Sequence, residues 1–518
     1  MLQKKQHSFV IPDNQHISEL VSLLENNFPV RVLAEAVTYR VFYDTFDWRL
    51  YKNGSVLEMY ETGSSRKIYW RENKDGKLKI QLGLNKVPHL AAELAESEFR
   101  QQLQSVIAVR ELIPQIKVKI KRLPVVVLGN NEKVVVRVYF DVYRYSPSRL
   151  RASKILGKRL TIQAVKGFTK ECQQVETLFQ DMKLYPAQDN ILKLALVVKG
   201  VSTGDYTTRL HFLLDPEMPA EQALKKILLR LLEIMQLNTS GSINGRDIEY
   251  IHDYSNSLAQ TCFALKQMYE AFPPPVGAKY YEFFSMLQQL TSQVRVIDEL
   301  LLQLDAYQQA QKKTQKKNIR FLHDYLLHCR TDAHNSYTEL LKSSAYRENI
   351  SQWRDYLKSA EIAGDTVETS GEAVYRLADK LTWNIYQQAL DESKVFVEDS
   401  NTKILKVLYH LFEKLCYLLE FFRSLYPATG MQVLMHELNA LQQCLGTFKD
   451  LNAYIDIMQE FIKQSDNTSA IKACNNMIKD LRQQQDNAEK QFIDLYHNFA
   501  SSYFQDKFRE MFVDYHRG

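Results

Sequence analysis

The chain has 518 residues, which is long enough for two or three domains with hydrophobic cores of full size. Its 66 lysine and arginine residues nearly balance its 61 aspartate and glutamate residues, and the formal net charge is +5. This balance excludes a global polycation of the kind that nucleic acid or an acidic membrane attracts, so a basic site in this protein must be local.

The cysteines and the apolar segments indicate the compartment. Six cysteines lie far apart in the sequence and show no metal-ligand spacing, which is typical of free thiols in a reducing compartment. The first residues contain no apolar signal-peptide core, and no segment approaches the roughly 20 apolar residues that span a membrane. We therefore expect a cytoplasmic protein without disulfides, membrane contact or a nucleic-acid partner.

Apolar and polar residues alternate with a period of two up to about residue 200, which predicts an N-terminal unit rich in β-strands. Helical spacing occurs in this unit at Ile17–Asn26 and Lys170–Met182. The predicted strands are Thr38–Tyr43, Val56–Tyr60, Lys67–Arg71, Lys77–Leu82, Ile116–Arg122, Val134–Tyr143 and Arg159–Ala164.

The alternation is strict in residues 116–122, where Lys117, Lys119 and Lys121 share one face of a strand. Two interpretations remain open. In the first, the lysines join Arg122 and Arg137 in a metal-free basic cavity that binds an anion. In the second, they face solvent on the outer wall of the sheet, where alternating lysines usually lie.

The segment Tyr39–Gly54 begins with Tyr-Arg-Val-Phe-Tyr-Asp-Thr-Phe and resembles the second strand and following turn of the CYTH family, the triphosphate tunnel metalloenzymes. The resemblance implies an antiparallel barrel of eight strands that holds triphosphate in a tunnel. In that family, basic residues contact the phosphates and glutamates carry two divalent metal ions. Mg²⁺ or Mn²⁺ takes such oxygen ligands and offsets the charge that develops on phosphoryl oxygens.

This chain lacks the residues that the resemblance assigns to that chemistry. Glu58 lies where the family has an arginine that binds phosphate, and Arg137 lies where the family has a glutamate that binds metal, so both positions have the opposite charge. We therefore predict no metal, no cofactor and no catalysis; the alternative is a Mg²⁺- or Mn²⁺-dependent inorganic triphosphatase with a rearranged site. The positions that correspond to family ligands hold Lys4, Gln6, Ser8, Glu58, Arg137, Thr161 and Gln163.

The spacing of apolar residues changes from a period of two to a helical period beyond a short polar segment that contains Pro216 and Pro219. We therefore predict an N-terminal CYTH-like unit at residues 1–200, a linker at 201–220 and an all-helical unit at 221–518.

Two phrases near the start of the helical unit resemble the CHAD family, an all-helical polyphosphate-binding domain. The phrase Gly245–Tyr254 has His252 at the position of the histidine for which the family is named. The phrase Thr291–Asp298 keeps the family's arginine and aspartate, at Arg295 and Asp298. The resemblance implies a helical bundle of two pseudo-symmetric halves.

A second pair of helices is predicted at Lys403–Leu451, and its phrases Tyr417–Phe422 and Leu441–Leu451 resemble the second half of a CHAD domain. Gly446 and Asp450 lie where a close helix contact or a helix C-cap is expected. CYTH followed by CHAD is a recurring bacterial domain order, so the two resemblances support each other.

Most of the basic residues that the family places on these helices are absent from this chain. Without them, we interpret His252, Arg295 and Asp298 as a hydrogen-bonded structural link between helices rather than as a polyphosphate site. Lys414 is unchanged from the family pattern. The family's basic positions are otherwise occupied by Ser255, Ala259, Gln260, Cys262, Tyr409, Glu413 and Cys416.

The cations that remain are candidates for weak binding of polyphosphate or another anion. The run Lys312–Arg320 is either a solvated helix face or a docking surface for an acidic protein partner. The candidates in the helical unit are Lys266, Arg295, Lys312, Lys316, Arg320, Lys414 and Lys449.

These observations lead to one hypothesis and one alternative. The hypothesis is a non-catalytic CYTH–CHAD protein that acts as a binding or scaffolding module, with a link to polyphosphate or another anionic partner. The alternative is an inorganic triphosphatase or a polyphosphate-granule protein of the same domain order.

Overall fold

The computed structural model describes the chain except for residues 1–5, 74–76, 83–85, 147–152, 181, 183, 188–190, 204–205, 209, 211–212, 311–312, 360–371, 400–401 and 517–518. The chain divides into two compact units, Met1–Thr207 and Thr208–Gly518. We call them the sheet unit and the helical unit.

The sheet unit is built on one antiparallel sheet of ten strands, which confirms the predicted strand-rich N-terminal unit. The strands follow the order β10-β1-β9-β8-β7-β3-β4-β5-β6, and β2 pairs with β7. The strand bounds are β1 Gln6–Ile11, β2 Val30–Val32, β3 Ala36–Asp44, β4 Ser55–Thr62, β5 Ser65–Glu72, β6 Leu78–Leu82, β7 Ile113–Leu128, β8 Val134–Tyr145, β9 Lys154–Ala164 and β10 Tyr185–Pro186.

The predicted closure of this sheet into a barrel is not found in the described part of the chain. The strands at the two ends of the order, β10 and β6, have no ladder with each other. A barrel closes through a continuous ladder between its first and last strands, and β10 has only two residues to offer. The sheet is therefore open.

Helices cover both faces of the sheet. The helix bounds are α1 Ile17–Asn27, α2 Arg49–Lys52, α3 Glu98–Ile107, α4 Thr169–Gln180 and α5 Ile191–Lys199. On one face, Leu192 and Ala195 of α5 lie in a buried cluster with Phe42, Val118 and Tyr143. We call this the α5 face. The opposite, outer face packs on α1 and α4 at β1, β8 and β9, and on α3 at β4 and β5.

The alternation of side chains along β7 determines on which face of the sheet its lysines lie. Because Val118 is buried against α5 and alternate side chains point to opposite faces, Lys117, Lys119 and Lys121 lie on the outer face. There the amine of Lys117 lies 2.8 Å from the carboxylate of Glu61. The three lysines therefore do not line one cavity with Arg122 and Arg137, which have the register of the α5 face.

The helical unit contains ten α-helices in its described residues. Helix α14 ends at Phe499 and α15 begins after Ser501, whose hydroxyl caps it, so the helical spacing of residues 470–512 is interrupted by a helix break. The bounds are α6 Ala220–Asn244, α7 Ile248–Gln267, α8 Pro274–Ala310, α9 Lys313–Lys342, α10 Ser344–Lys358, α11 Val374–Asp399, α12 Thr402–Phe421, α13 Ala428–Gln464, α14 Thr468–Phe499 and α15 Ser502–Arg509.

The helices repeat with a constant spacing in the sequence. Helices α6, α7 and α8 begin at Ala220, Ile248 and Pro274, and α11, α12 and α13 each begin 154 residues after their counterparts. Helices α7 and α12 both have 20 residues, and α8 and α13 both have 37. The unit is therefore an internal duplication of one helix set.

A reciprocal contact shows how the two copies are related. Pro219 and Ala373, which are 154 residues apart, form an antiparallel β-bridge. Its two hydrogen bonds run from Ala220 N to Glu372 O and from Val374 N to Met218 O, so each donor and acceptor has its counterpart in the other copy. A self-complementary contact of this kind is the mark of a twofold axis, which confirms the predicted pseudo-symmetric halves.

Of the two roles predicted for Gly446, a close helix contact or a C-cap, the structure has the contact, because α13 continues through Gly446 to Gln464. A β-carbon at this glycine would lie 3.8 Å from the ring of Tyr409, at ordinary contact distance. Gly446 is therefore a helix-interior residue at the contact between α12 and α13.

The helix packing predicts the effect of adding a methyl group at a second glycine. A β-carbon at Gly241 of α6 would lie 2.2 Å from the buried ring of Tyr250. We expect Gly241→Ala to destabilise the protein by about 1–3 kcal/mol, as overpacked cores do. Gly277→Ala in α8 is the matched control, since its nearest neighbour lies at 3.8 Å. Thermal unfolding of the full chain tests this, and an equal effect of both substitutions would contradict it.

Candidate functional site

Several charged residues of the α5 face lie at positions where the CYTH resemblance implies ligands of phosphate or metal. The first group of charged residues centres on Glu58. This glutamate is fully buried, and its two oxygens accept hydrogen bonds of 2.6 Å from Arg40 Nε and Arg71 Nε. Arg40 is itself almost fully buried. Glu58, at a position where the CYTH resemblance implies a phosphate-binding arginine, therefore bonds to two neighbouring arginines and compensates one of their two positive charges.

A second ion pair lies on the same face. Arg122 donates to both oxygens of Asp141 at 2.7 and 2.6 Å, and Asp141 is buried. The guanidinium of Arg159 lies 5.3 Å from the centre of the Tyr143 ring. Arg137 has the register of this face and forms no hydrogen bond or ion pair with any residue that the structure describes.

Space on this face is small where α5 packs. A cavity beside Arg40, Glu58 and Arg71 has a volume of about 20 Å³, which is room for about one water molecule. The described residues contain no group of three or more histidine, cysteine, aspartate or glutamate side chains that is arranged to hold a metal ion. Hard divalent metals need free oxygen ligands, whereas Glu58 and Asp141 are both held by arginines.

The larger open space lies in the helical unit, between the two copies of the repeat. A cleft of about 490 Å³ is lined by α7, α8, α12 and α13, and we call it the central cleft. Its lining includes one arginine, Arg295, and four carboxylates. The carboxylates are those of Glu299, Glu413, Glu420 and Asp450.

Glu413 is the best-connected carboxylate of the central cleft. Tyr409 and Tyr417 each donate a hydroxyl hydrogen bond to its Oε1, at 2.9 and 3.2 Å. Burial alone raises its pKa, but the hydrogen bonds from His410 and Tyr409 and the charge of Lys449 outweigh burial, so the pKa of Glu413 is lowered. Glu413 is therefore ionised at neutral pH.

Two further acids surround the arginine of the cleft. Arg295 Nε lies 3.6 Å from Glu299, and Tyr454 donates a hydrogen bond of 3.3 Å to the same glutamate. Burial raises the pKa of Glu299 and the pKa of Asp450, while Arg295 acts against both shifts. Because Arg295 is shared between two acids, its charge is already compensated within the protein.

The residues that resemble the family's namesake motif form links between helices. His252 Nε2 of α7 lies 3.7 Å from Glu299 of α8. Asp298 of α8 forms an ion pair with Arg330 of α9, and Arg330 also donates to the carbonyl of Gly245 at 2.8 Å. Gly245 ends α6 in the left-handed conformation, with φ of +67°. Together these contacts hold the α6–α7 turn against α8 and α9.

Lysines line a second pocket that adjoins the central cleft. This pocket has a volume of about 380 Å³, lies among α7, α8 and α12, and contains Lys266, Lys414 and His410. It shares Glu413 and Tyr417 with the central cleft, so the two spaces are parts of one groove. We call it the lysine pocket.

The other candidate cations lie apart from this groove or are already engaged. Lys449 sits over the Tyr409 ring at 4.5 Å, with its amine 3.4 Å from the tyrosine hydroxyl. Arg320 is exposed on α9 and lies 3.8 Å from Asp324. Lys312 lies outside the described residues, and Lys316 is placed in α9 with no side chain described.

Sequence reasoning missed two residues of the central cleft and its surroundings, Glu299 and Tyr454, which belong to no family phrase. It gave no role to Glu420, which lies within the phrase Tyr417–Phe422, because three helices separate α8 from α12 in the sequence. The spacing of 154 residues was a usable signal, because it aligns Lys266 with Glu420 and exposes a charge difference between the copies.

The fold and the groove define a protein with an antiparallel sheet unit followed by a helical unit of two repeats. Residues 226–459 match the family model of the CHAD domain. The helical unit therefore contains a CHAD domain, and the antiparallel sheet unit precedes it in the chain.

Comparison with solved structures gives further similarities. The CHAD domain from the plant Ricinus communis is 19% identical, and the match covers 56% of this chain and 95% of that chain, with a TM-score of 0.46. PptA from Streptomyces chartreusis is 11% identical over 54% of this chain and 99% of that chain, with a TM-score of 0.41. The putative adenylyl cyclase HpAC1 from Hippeastrum, for which a dominant triphosphatase activity is stated, is 11% identical over 39% of this chain and 99% of that chain, with a TM-score of 0.26.

Two further comparisons are negative. No curated protein matches the chain. Within the described residues, no helix combines the length and the apolar character that crossing a bilayer requires.

Proposed function

We propose that this protein is a non-catalytic CYTH–CHAD protein that acts as a binding or scaffolding module. The CHAD domain and the CYTH-like sheet unit support a protein related to polyphosphate. The observation that carries the choice of a binding role other than polyphosphate binding is the charge of the central cleft, where four carboxylates and one arginine line the space between the repeats. A cleft of this sign repels a polyanion.

The sheet unit supports the same proposal. Glu58 and Asp141, the acids on the α5 face nearest its arginines, are buried and each is bonded to arginine. Arginines therefore compensate the negative charges of these two carboxylates, which are not free to bind a divalent metal. Helix α5 also packs on the centre of this face through Leu192 and Ala195.

An assay for triphosphate hydrolysis tests the absence of catalysis. We expect the full chain to release no more phosphate from inorganic triphosphate with Mg²⁺ or Mn²⁺ than a control without protein. The physical reason is that metal-assisted phosphoryl transfer requires carboxylates free to bind the metal. Phosphate release that increases with protein concentration and stops on addition of a chelator would refute the proposal.

A further inference from the structure

The centre of the outer face of the sheet lies between the helices that pack on that face. The buried cluster beneath α1 and α4 and the buried cluster beneath α3 take their strand residues from the two sides of this centre. A surface that belongs to neither cluster includes two exposed aliphatic side chains, Val37 at 40% and Ile155 at 46%. We call it the outer patch, and it consists of Val37, Tyr39, Lys119, Arg144 and Ile155.

Two cations stand directly opposite each other in the outer patch. Lys119 of β7 and Arg144 of β8 are cross-strand partners in the antiparallel ladder, so their side chains share the outer face. The β-carbons of such a pair lie about 4.5–5.5 Å apart, and like charges directly opposite destabilise a sheet. The chain therefore keeps two positive charges together although their repulsion lowers its stability.

Neither of these two cations has an acidic partner in the part of the chain that the structure describes. There the side chains of Lys119 and Arg144 form no hydrogen bond or ion pair, and Arg144 Nε is buried without an acceptor. A carboxylate bound between the two side chains pairs with both charges and relieves their repulsion.

The protein's own acids lie at the two ends of the row of lysines on β7. Lys117 lies 2.8 Å from Glu61, which also lies 3.8 Å from Arg66. Lys121 lies 3.2 Å from Glu35. A ligand chain with a negative charge on every unit is repelled by Glu61 and Glu35 when it runs along β7, whereas a ligand with one isolated carboxylate avoids them.

The groups beside the two cations favour a protein segment over a nucleic acid. The Tyr39 ring, directly opposite Lys119 on β3, is covered by the amine of Lys117, which lies 4.4 Å from the ring centre. It is therefore not free to stack on a base, which is how aromatic side chains hold single strands. On the other side Ile155, directly opposite Arg144, offers an exposed apolar contact to an aliphatic side chain.

We propose that the outer patch is the docking site for a protein segment that carries an isolated acidic residue between aliphatic residues. The acidic side chain lies between Lys119 and Arg144, and its aliphatic neighbours contact Val37 and Ile155. The proposal rests on the binding role given above, and it assigns that role to a surface other than the central cleft and the α5 face.

The strand spacing sets the sequence of the partner segment. In the order β9-β8-β7-β3, neighbouring strands lie about 4.7–4.9 Å apart, so β9 and β3 each lie about 7 Å from the midpoint between Lys119 and Arg144. Alternate residues of an extended segment are also about 7 Å apart. A segment that crosses the strands therefore presents aliphatic residues two positions before and two positions after its acidic residue.

Peptide titration of the full chain tests the proposal. The probe is a peptide in which one glutamate has a leucine two positions before it and another leucine two positions after it, with serine elsewhere. The control peptide has glutamine in place of the glutamate. At low salt the glutamate peptide should bind about five- to tenfold more tightly than the glutamine peptide, as expected for two exposed charge pairs. Equal binding of the two peptides would overturn the proposal.

Charge reversal of Lys119 separates a loss of binding from a loss of folding. Lys119→Glu places an acid opposite Arg144, and a cross-strand pair of opposite charges stabilises a sheet. We expect this variant to lose the preference for the glutamate peptide while hydrogen exchange in β7 and β8 becomes about two- to fivefold slower. A second variant, Arg144→Gln, removes one of the two charge pairs and should reduce the preference to about two- to threefold.

Lys67→Glu provides the matched control. This lysine is exposed on β5 and lies directly opposite Tyr60, which packs on the buried cluster of the α5 face, so the substitution makes the same charge change on the other face of the sheet. It should leave the peptide preference unchanged. A Lys119→Glu variant that still prefers the glutamate peptide, or a Lys67→Glu variant that loses the preference, would refute the docking site.

Other occupants and other failures give different results. If polyphosphate or a single-stranded oligonucleotide displaced the glutamate peptide at physiological salt, the outer patch would be a polyanion site and the docking proposal would be wrong. Hydrolysis of triphosphate by the full chain would refute the non-catalytic function and leave the peptide preference unchanged. Equal binding of the two peptides without hydrolysis refutes only the docking site.

Discussion

Titration of the full chain with long-chain polyphosphate at about 150 mM salt is expected to give no saturable heat. Affinity for a phosphate chain grows with the number of phosphates neutralised, and log K falls by roughly 0.7–0.9 per contact for each unit of log salt in nucleic acids. In the central cleft Arg295 is shared by Glu299 and Asp450, which leaves few cations to release counter-ions. Submicromolar binding that weakens in Arg295→Ala, Lys414→Ala and Lys449→Ala variants would contradict this expectation.

The internal repeat supplies a gain-of-function version of the same experiment. Gln260→Lys with Glu420→Lys gives the central cleft the two lysines that its counterpart already has at Lys414 and Lys266. Because each charge-assisted hydrogen bond contributes about 1.5–3 kcal/mol, two new contacts should raise polyphosphate affinity by about a hundredfold or more. Gln260→Met with Glu420→Met is the matched control, since it removes the acid without adding a cation.

The gain should also change with salt. Each new phosphate contact should steepen the dependence of log K on log salt by roughly 0.7–0.9. A double-lysine variant that binds polyphosphate no better than the methionine control would show that the sign of the cleft does not determine its ligand.

The second large effect is expected at Glu58, because it is buried between two arginines. Glu58→Ala removes the buried carboxylate that bonds to Arg40 and Arg71, and removal of one member of a buried ion pair costs about 3–5 kcal/mol. We therefore expect a loss of stability of that size in the sheet unit. Hydrogen exchange of β3, β4 and β5 in the full chain measures it separately from unfolding of the helical unit.

Glu61 provides the matched control on the same strand. It lies on the outer face of β4, where Lys117 is its exposed partner at 2.8 Å. Exposed ion pairs contribute about 0–1 kcal/mol, so Glu61→Ala should change hydrogen exchange little. Equal changes in hydrogen exchange for Glu58→Ala and Glu61→Ala would contradict the prediction that the buried ion pairs of Glu58 stabilise the sheet unit.

Local sequence patterns predicted much of the fold because they report short-range geometry. Strict alternation in residues 116–122 predicted a strand with lysines on one face, and β7 has that form. The helical spacing in Lys403–Leu451 predicted two helices and a turn, which are α12 and α13. Turn residues such as Pro427 and cap residues such as Ser501 act within a few positions, so their effects are legible in the sequence.

Local sequence patterns could not predict whether the sheet closes into a barrel. Closure depends on whether the first and last strands meet, and β6 and β10 are about 100 residues apart in the sequence. Local patterns do not reveal the helix boundary at Ala500 either, because the aromatic residues on both sides of it keep a helical spacing through the break.

The sequence by itself determined the class of the two units, the order in which they occur and the loss of most basic residues from the family phrases. Tertiary structure alone decided what the remaining charges do. It buried Glu58 between Arg40 and Arg71, and it brought Lys266 and Lys414 to one end of a groove that has Glu420 near the other. These assignments depend on Coulomb interactions over a few ångströms between residues far apart in the chain, and such distances exist only once the helices and strands have packed.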